Sequence, residues 1–286
     1  MRRLAVVALT AAAFAVIAAP AGAAAPKRVV ALTPFTANTL AALGVRPVAI
    51  GQTLGGRERF NKRLKGVRTL PMSHPNGPNL EQLASLNPRM VFNSPTFRKG
   101  SVGIRSLDIK VVESDPHNIA ESVAQTRRIG RIVGKRKQAD KLALKLLKGV
   151  ANARRNIRDR PTVLLILGVG RTPFVFLRNS WGGDVLRNAG GSLLTAGRRD
   201  RGGFARISDE VVVAEDPDVI IAVPHAAARD IPSITRYLRS NPAWSTTSAV
   251  RNKRVYVSTD NSLLQAGTDA GKVIRTVRRK YLKNAK

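Results

Sequence analysis

Two similar stretches decide the fold of this chain, and they read NLEQLASLNPRMVF at 79–92 and SDEVVVAEDPDVII at 208–221. In each stretch a glutamate, Glu81 or Glu210, is followed seven residues later by a proline and then by an apolar run. That order predicts a short helix, a break at the proline and a buried strand. Because the unit occurs twice, the sequence predicts two similar lobes, and two lobes usually hold a ligand between them.

The rest of the chain alternates strand and helix patterns. Residues 28–32 favour a strand, 39–43 favour a helix that ends at Gly44, and 47–51 favour a second strand. A long basic helix then precedes the apolar run at 161–167, which opens a second, similar series. Strands separated by helices are typical of parallel or mixed sheets with helices on both faces. We therefore predict an α/β fold of two lobes with parallel or mixed sheets flanked by helices.

The N-terminus predicts export. Arg2 and Arg3 precede an apolar stretch at 4–19 and a small-residue site at 21–23, as in a secretory signal peptide; a retained transmembrane anchor is the alternative. The chain contains no cysteine, so we expect neither disulfides nor a lipid on an N-terminal cysteine. The expected location is the periplasm, the cell-wall space or the medium, as a protein that is not a lipoprotein.

The charge of the chain is strongly positive. It has 49 Lys and Arg against 18 Asp and Glu, a formal net charge of +31. This favours electrostatic attraction to an anionic cell wall, an anionic lipid surface or an acidic ligand. A nucleic acid partner is not expected, because no recognition motif is present and aromatic residues make up 5% of the chain. The densest basic run, at 127–160, favours a solvated helix face over a binding surface.

Several segments together resemble a known family. These are residues 28–51, the two Glu-Pro units and residues 249–257, and in this order and spacing they resemble the exported binding proteins of ABC importers for iron siderophores, haem and vitamin B12. The resemblance covers nearly the whole mature chain. It implies two lobes joined by a single long helix, a largely preformed site and a monomer. The division that follows is a signal peptide at 1–23, an N-terminal lobe at 24–135, a connecting helix at 136–159 and a C-terminal lobe at 160–286.

The resemblance also implies a docking role for the two glutamates. In that family one acidic residue on each lobe contacts basic pockets of the permease, and the matching positions are Glu81 and Glu210. Alternatively, each glutamate serves only its own helix, since a helix dipole favours negative charge in the first turn. Asn38 departs from the family, because many relatives carry Glu there.

Ligand contacts in an open α/β lobe come from the loops beyond the carboxyl ends of the strands. Those loops can be identified on both lobes from the predicted strands. The candidate ligand-binding residues are Thr33, Gln52, Thr53, Met72, His74, Asn93 and Ser94 on the first lobe, and Arg171, Trp181, Arg199, Arg201 and His225 on the second.

The candidate ligands differ in what they need from these loops. Haem iron takes an axial His, Tyr or Met, whereas a ferric siderophore needs aromatic walls and Arg. His74 and His225 fall on opposite lobes and would ligate iron only if the ligand is haem. The alternative is that both are exposed loop residues without a role in ligation. His117 favours a capping or surface role, and no tyrosine falls in a predicted cleft loop.

The sequence offers no catalytic site. No nucleophile, metal-protease or P-loop motif is present, and the glycine-rich stretch at 168–173 lacks the third glycine of a dinucleotide-binding loop. We therefore expect a binding protein rather than an enzyme, with no catalytic cofactor and with a ferric siderophore or haem as the transported ligand. Cobalamin binding is one alternative. A basic cell-surface or cell-wall protein with a degenerate cleft is another.

Overall fold

The computed structural model of this chain describes residues 28–52, 58, 60–157, 160–169, 172–199 and 202–283. The predicted signal peptide at 1–23 and three candidate cleft residues, Thr53, Arg171 and Arg201, lie outside these ranges. Within the described ranges, no helix combines the length and the apolar character that crossing a bilayer requires.

The first lobe is a parallel α/β unit. Its elements in chain order are β1 (Val29–Ala31), α1 (Pro34–Ala42), β2 (Ala49–Gly51), β3 (Arg68–Leu70), β4 (Met72–Ser73), β5 (Gly77–Pro78), α2 (Leu80–Ala84), β6 (Met90–Asn93), α3 (Arg98–Arg105), β7 (Lys110–Glu113) and α4 (Ile119–Ile132). Five strands form one sheet in the order β3-β2-β1-β6-β7 with every neighbouring pair parallel, while β4 and β5 form a separate hairpin.

The sheet of the first lobe is buried on both faces. Val29 and Ala31 of β1 belong to one apolar cluster, and Val30 between them belongs to another. Successive residues of a strand point to opposite faces, so helices cover this sheet on each side.

Helix α1 begins earlier than its apolar pattern predicts. We expected a helix at 39–43, whereas α1 starts at Pro34 and its N-cap is Thr33, whose hydroxyl accepts a hydrogen bond from the Thr36 amide. A proline at the first helical position, preceded by a threonine cap, is a recognised start signal. The difference places Thr36 inside the helix.

The long helix α5 (Arg136–Ala153) follows α4 and packs against both lobes. It is shorter than the predicted 136–159, because the chain leaves the helix after Ala153 and Asn156 takes a left-handed φ of 57°. Residues 158 and 159 lie outside the described ranges.

The second lobe contains a mixed sheet. Its elements are β8 (Thr162–Val169), β9 (Thr172–Phe176), α6 (Trp181–Ala189), β10 (Ser192–Leu194), β11 (Phe204–Arg206), α7 (Asp209–Glu215), β12 (Val219–Pro224), α8 (Ile231–Arg239), α9 (Ser248–Arg251), β13 (Val255–Val257) and α10 (Ala270–Val277). The strands run in the order β11-β9-β8-β12-β13, and β10 pairs with the first half of β8. The β8-β9 and β9-β11 pairs are antiparallel, and the other pairs are parallel.

Both Glu-Pro units form the predicted helix and strand. The first gives α2 and β6, and the second gives α7 and β12. Each of these strands pairs in parallel with the first strand of its own lobe, β1 or β8. The two-lobed α/β fold with parallel and mixed sheets is therefore confirmed.

Very close helix crossings hold α5 against both lobes. A Cβ at Gly271 of α10 would overlap the carbonyl oxygen of Gly149 in α5, and a Cβ at Gly130 of α4 would overlap the Cβ of Ala139. Glycine permits this approach because it lacks a Cβ. Short distances between these helices tie the lobes to one shared element.

One hydrogen bond also links the lobes directly. The amide of Ile119, the first residue of α4, donates to Oδ2 of Asp184 in α6 at 3.0 Å. A carboxylate at a helix N-terminus satisfies a free amide and complements the helix dipole. Asp184 also pairs with Arg187 at 3.0 Å, which holds the carboxylate in place.

Candidate functional site

A cleft of about 320 Å³ lies between the two lobes. Its lining comes from the loops that follow β1, β2, β6 and β7 of the first lobe, from the β4-β5 hairpin, and from loops and strand ends of the second lobe. These are largely the carboxyl ends of parallel strands, where open α/β sheets bind ligands. The predicted residues that line it are Thr33, Gln52, Met72, His74, Ser94, Trp181 and His225.

Two predicted residues do not line this cleft. Asn93 is buried and turns toward α3, where its Nδ2 donates to Ser101 Oγ at 2.9 Å. Arg199 is exposed and lies outside the lining. For Thr53, Arg171 and Arg201, which fall outside the described ranges, the prediction stands as it was made.

Thr33 lies in the cleft wall with its hydroxyl already engaged. Its Oγ1 donates to the carbonyl of Ser114 at 3.3 Å, accepts from the Thr36 amide and lies 2.9 Å from the Thr36 hydroxyl. The residue thus caps α1 and ties the β1 loop to the end of β7.

His74 and His225 line the cleft from opposite lobes. His74 is exposed on the turn between β4 and β5, and its ring stands edge-on to Phe97 with centroids 6.2 Å apart. His225 directly follows β12, and its backbone amide donates to the carbonyl of Gly168 at 2.9 Å. The hairpin and the strand end therefore bring two imidazoles to one cleft.

The imidazole of His225 is suited to act as a neutral ligand. Its Nδ1 is buried and has no hydrogen-bond partner among the described residues. Burial, and to a smaller extent the charge of nearby His74, lowers the pKa of His225 below its ordinary value. A neutral imidazole is the form that binds a metal centre.

Sequence reasoning missed Asp115, which lies in the cleft beside Ser94. The Ser94 hydroxyl donates to Asp115 Oδ2 at 2.6 Å. Burial raises the pKa of Asp115, while the Ser94 bond and His117 act in the opposite direction. His117 also lines the cleft, and it is exposed, as its sequence position favoured. The signal was available, because both residues follow β7 and so lie at the carboxyl end of a parallel strand.

The two walls of the cleft differ in character. Both lobes contribute apolar side chains, which are Leu167, Trp181, Phe204 and Leu264 from the second lobe and Leu32, Met72 and Phe97 from the first. Trp181 is buried, and its Nε1 donates to the Ser262 carbonyl at 3.0 Å, so the indole forms a fixed wall. The first lobe contributes most of the hydroxyl, carboxyl and imidazole groups. In the described part of the lining no Lys or Arg occurs.

The described residues include no cluster of three or more His, Asp or Glu that could hold a metal ion.

Glu81 and Glu210 are exposed, one on each lobe, in the first turns of α2 and α7. The pKa of the Glu210 carboxyl is lowered mainly by a hydrogen bond from the Ser208 side chain and, to a smaller extent, by a hydrogen bond from the backbone amide of Glu210 itself. A second groove, on the second lobe, includes Glu210, Arg198 and Arg206 in its lining. The helix-dipole interpretation and a docking role are both compatible with these positions.

Comparison with known proteins gives consistent matches along the chain. The sequence profile described as periplasmic binding protein matches residues 29–261. A cobalamin-binding protein of Halobacterium salinarum is 28% identical over 244 residues, which is 82% of this chain and 64% of that protein. The chain thus spans a little under two thirds of the length of this relative.

Solved structures share the fold. An ABC transporter substrate-binding protein from Listeria monocytogenes has a TM-score of 0.75 at 23% identity, covering 91% of this chain and 100% of the other. Staphylococcus aureus IsdE complexed with haem has a TM-score of 0.75 at 22% identity, covering 89% and 98%.

Proposed function

This chain belongs to the periplasmic binding protein family, and from that premise we propose that it is the exported substrate-binding protein of an ABC importer. In this proposal it captures a metal chelate in the cleft between its lobes and delivers it to a permease. The signal-like N-terminus supports export. The chain acts as a binding protein without catalytic chemistry of its own.

The proposed ligand is an iron chelate, with haem ahead of a siderophore. The observation that carries this choice is the pair of imidazoles, His74 and His225, which line one cleft from opposite lobes. Haem iron requires axial donors, whereas a siderophore already surrounds its iron with oxygen ligands. The lowered pKa of His225 keeps its ring neutral at physiological pH, and Met72 adds a thioether to the opposite wall, on the hairpin that carries His74.

Cobalamin is the second candidate, on a different observation. Side-chain amides of Gln52, Asn179 and Gln265 line the cleft, and they suit a macrocycle that carries amide groups at its edge. The 28% identity to the cobalamin-binding protein of Halobacterium salinarum supports the same ligand. His225 would then be the donor offered to cobalt.

Delivery would use the two exposed glutamates. Glu81 and Glu210 present one carboxylate per lobe, and a pair of separated charges fixes the orientation of the docked complex. Basic pockets on the permease are the expected counterparts. The lowered pKa of Glu210 keeps its carboxylate charged under mildly acidic conditions.

Titration of the purified mature protein tests the ligand. We expect a Soret band that shifts and saturates at one haem per protein, and quenching of Trp181 fluorescence as haem enters the cleft. Saturable binding of cobalamin with no haem binding would select the second candidate. If haem, cobalamin and ferric siderophores all fail to bind, the protein is a basic surface protein with a degenerate cleft, and the transport proposal is wrong.

A further inference from the structure

The solvent-facing side of α5 carries an ordered row of lysines. At 3.6 residues per turn, Lys137, Lys141 and Lys148 fall within about 40° of one another around the helix axis. They are exposed and lie opposite the buried residues Ala139, Ala143, Leu146 and Val150, which pack into the core. The helix therefore buries one side and presents a basic line on the other.

This positive charge is not neutralised within the described part of the chain. The sole acidic residue of α5 is Asp140, and its Oδ1 pairs with Arg127 Nε of α4 at 3.3 Å. None of the three lysines takes part in an ion pair among the described residues. These lysine side chains therefore keep their positive charge available to attract an anionic partner.

Two exposed leucines lie beside the basic line. Leu144 is 49% exposed and Leu147 is 41% exposed, and both are among the few large apolar side chains that the described residues leave in water. Leu144 follows Lys141 by three residues and precedes Lys148 by four, so it lies between them on the helix surface. Lysine stems can extend over such apolar groups while their amines reach a polar layer.

We propose that this side of α5, defined by Lys137, Lys141, Leu144, Leu147 and Lys148, binds the surface of an anionic lipid membrane. The lysines supply attraction to phosphate headgroups, and the leucines gain by entering the boundary between headgroups and acyl chains. A soluble or wall-bound polyanion would use the lysines and leave the leucines in water. The combination of both residue types favours the lipid.

Membrane attachment through α5 leaves the cleft reachable. No residue of α5 lines the cleft, and the helix packs mainly against α4, α6 and α10. The inference therefore goes beyond the proposed transport function and does not depend on which chelate is bound. It would hold the carrier near the bilayer without a covalent lipid.

Cosedimentation of the full mature chain with vesicles tests the proposal. We expect binding to phosphatidylglycerol mixed with phosphatidylcholine, little binding to phosphatidylcholine alone, and release at about 1 M salt, where the screening length falls to about 3 Å. The double variant K141Q/K148Q should bind the anionic vesicles about 25-fold more weakly, at about fivefold per lysine. The matched control is K65Q/K110Q, which removes equal charge from exposed positions on the first lobe.

A third variant separates lipid from polymer. L144Q should weaken vesicle binding severalfold while leaving binding to a soluble polyphosphate unchanged. Equal losses in K141Q/K148Q and K65Q/K110Q would overturn the proposal, since net charge alone would then explain binding. Full vesicle binding by L144Q would also overturn it, in favour of a polyanion. Haem and cobalamin titrations of each variant should match the wild type, so the outcome is independent of the transport proposal.

Discussion

The two lobes share one strand order and differ on one side of the sheet. The first lobe contains β2-β1-β6-β7, and the second contains the equivalent β10-β8-β12-β13. In the second lobe, however, β10 covers only the first half of β8, and the antiparallel strand β9 pairs with the other half. Strand β11 then extends the sheet beyond β9.

That difference gives the cleft two unlike walls. Phe204, at the start of β11, lines the cleft together with Trp181, so the second lobe places two aromatic side chains in its wall. The five-stranded sheet of the first lobe is entirely parallel, and the loops after its strands carry Ser94, Asp115 and His117. The duplicated scaffold thus presents different side chains on its two halves, with most of the hydroxyl, carboxyl and imidazole groups on the first lobe.

The largest expected effect concerns how each lobe is attached to α5. Gly271→Ala should lower the free energy of unfolding by about 2–3 kcal/mol, because the new Cβ would overlap backbone atoms of Gly149, which cannot move aside without shifting the helix. Gly130→Ala probes the equivalent crossing in the first lobe, where the obstacle is Ala139. Chemical denaturation measures both.

Gly149→Ala is the matched control for those variants. A Cβ there would meet its nearest atom, Gly271 Cα, at 3.9 Å, which is ordinary contact. Because alanine is favoured over glycine inside a helix, we expect a gain of up to about 1 kcal/mol. A stable Gly271→Ala protein would show that the second lobe is attached less tightly than the geometry indicates.

The next effect distinguishes the two imidazoles. His225→Ala should weaken haem binding at least tenfold, on the scale of about 10–100-fold found for residues that support a metal site. His74→Ala should cost less, because that ring is exposed on a hairpin turn whereas His225 is partly buried at the end of β12. The Soret shift and the dissociation constant for haem measure the effect of each substitution. Arg199→Gln, outside the cleft, is the control, and unchanged binding in His225→Ala would reject the ligand assignment.

Docking should depend on one residue from each lobe. Glu81→Gln and Glu210→Gln should each weaken binding to the reconstituted permease up to about fivefold, as expected for an exposed charge pair. Ligand binding in the cleft should not change. Glu215→Gln, at the end of the same helix as Glu210, is the control. If it weakens permease binding equally, the effect comes from the net charge of the protein and the docking assignment is wrong.

The smallest expected effect is on how the free energy of unfolding depends on pH, where Asp115 of the first lobe and His225 of the second act with opposite sign. The pKa of Asp115 is raised, so the folded carboxyl holds its proton more tightly and stability falls as pH rises from 3.8 through the folded pKa. The pKa of His225 is lowered, so the unfolded imidazole takes a proton first and stability falls as pH drops below 6.5.

Asp115→Asn should therefore raise the free energy of unfolding at neutral pH and remove the gain in stability that acid gives the wild type. Denaturation at about pH 5 and about pH 7.5 measures the change. Thr96→Ala, also at the cleft, should leave the pH profile unaltered. A profile that is the same with and without Asp115 would show that its carboxyl is solvated in the native protein.

The sequence predicted the fold well because its strongest patterns are local and repeated. The Glu-Pro units, Gly44 after α1 and the predicted apolar strands each act within a few residues, and these are found where expected. Helix α1 was placed too late because its interior is polar at Thr36, Asn38 and Thr39, and these side chains are buried. The start signal of Thr33 and Pro34 was the better guide.

The cleft was harder to predict than the strands that support it. Strand ends indicated which loops line the cleft, and His74, His225 and Trp181 are among the lining residues, while their role in ligand binding stays a prediction. Periodicity did not reveal which way a side chain turns at the last residue of a strand. Asn93 and Ser94 are adjacent, yet Asn93 bonds to Ser101 of α3 while Ser94 faces Asp115 in the cleft.

The bond between Ile119 and Asp184, together with the glycine crossings of α5, fixes how the two lobes are attached to each other. A wider or narrower cleft would require helices to shift at crossings that leave no room for a Cβ. Under the transport proposal, Glu81 and Glu210 would therefore keep similar positions in the loaded and the empty protein. A permease would then have to distinguish the two states by the part of the bound chelate that the cleft leaves exposed.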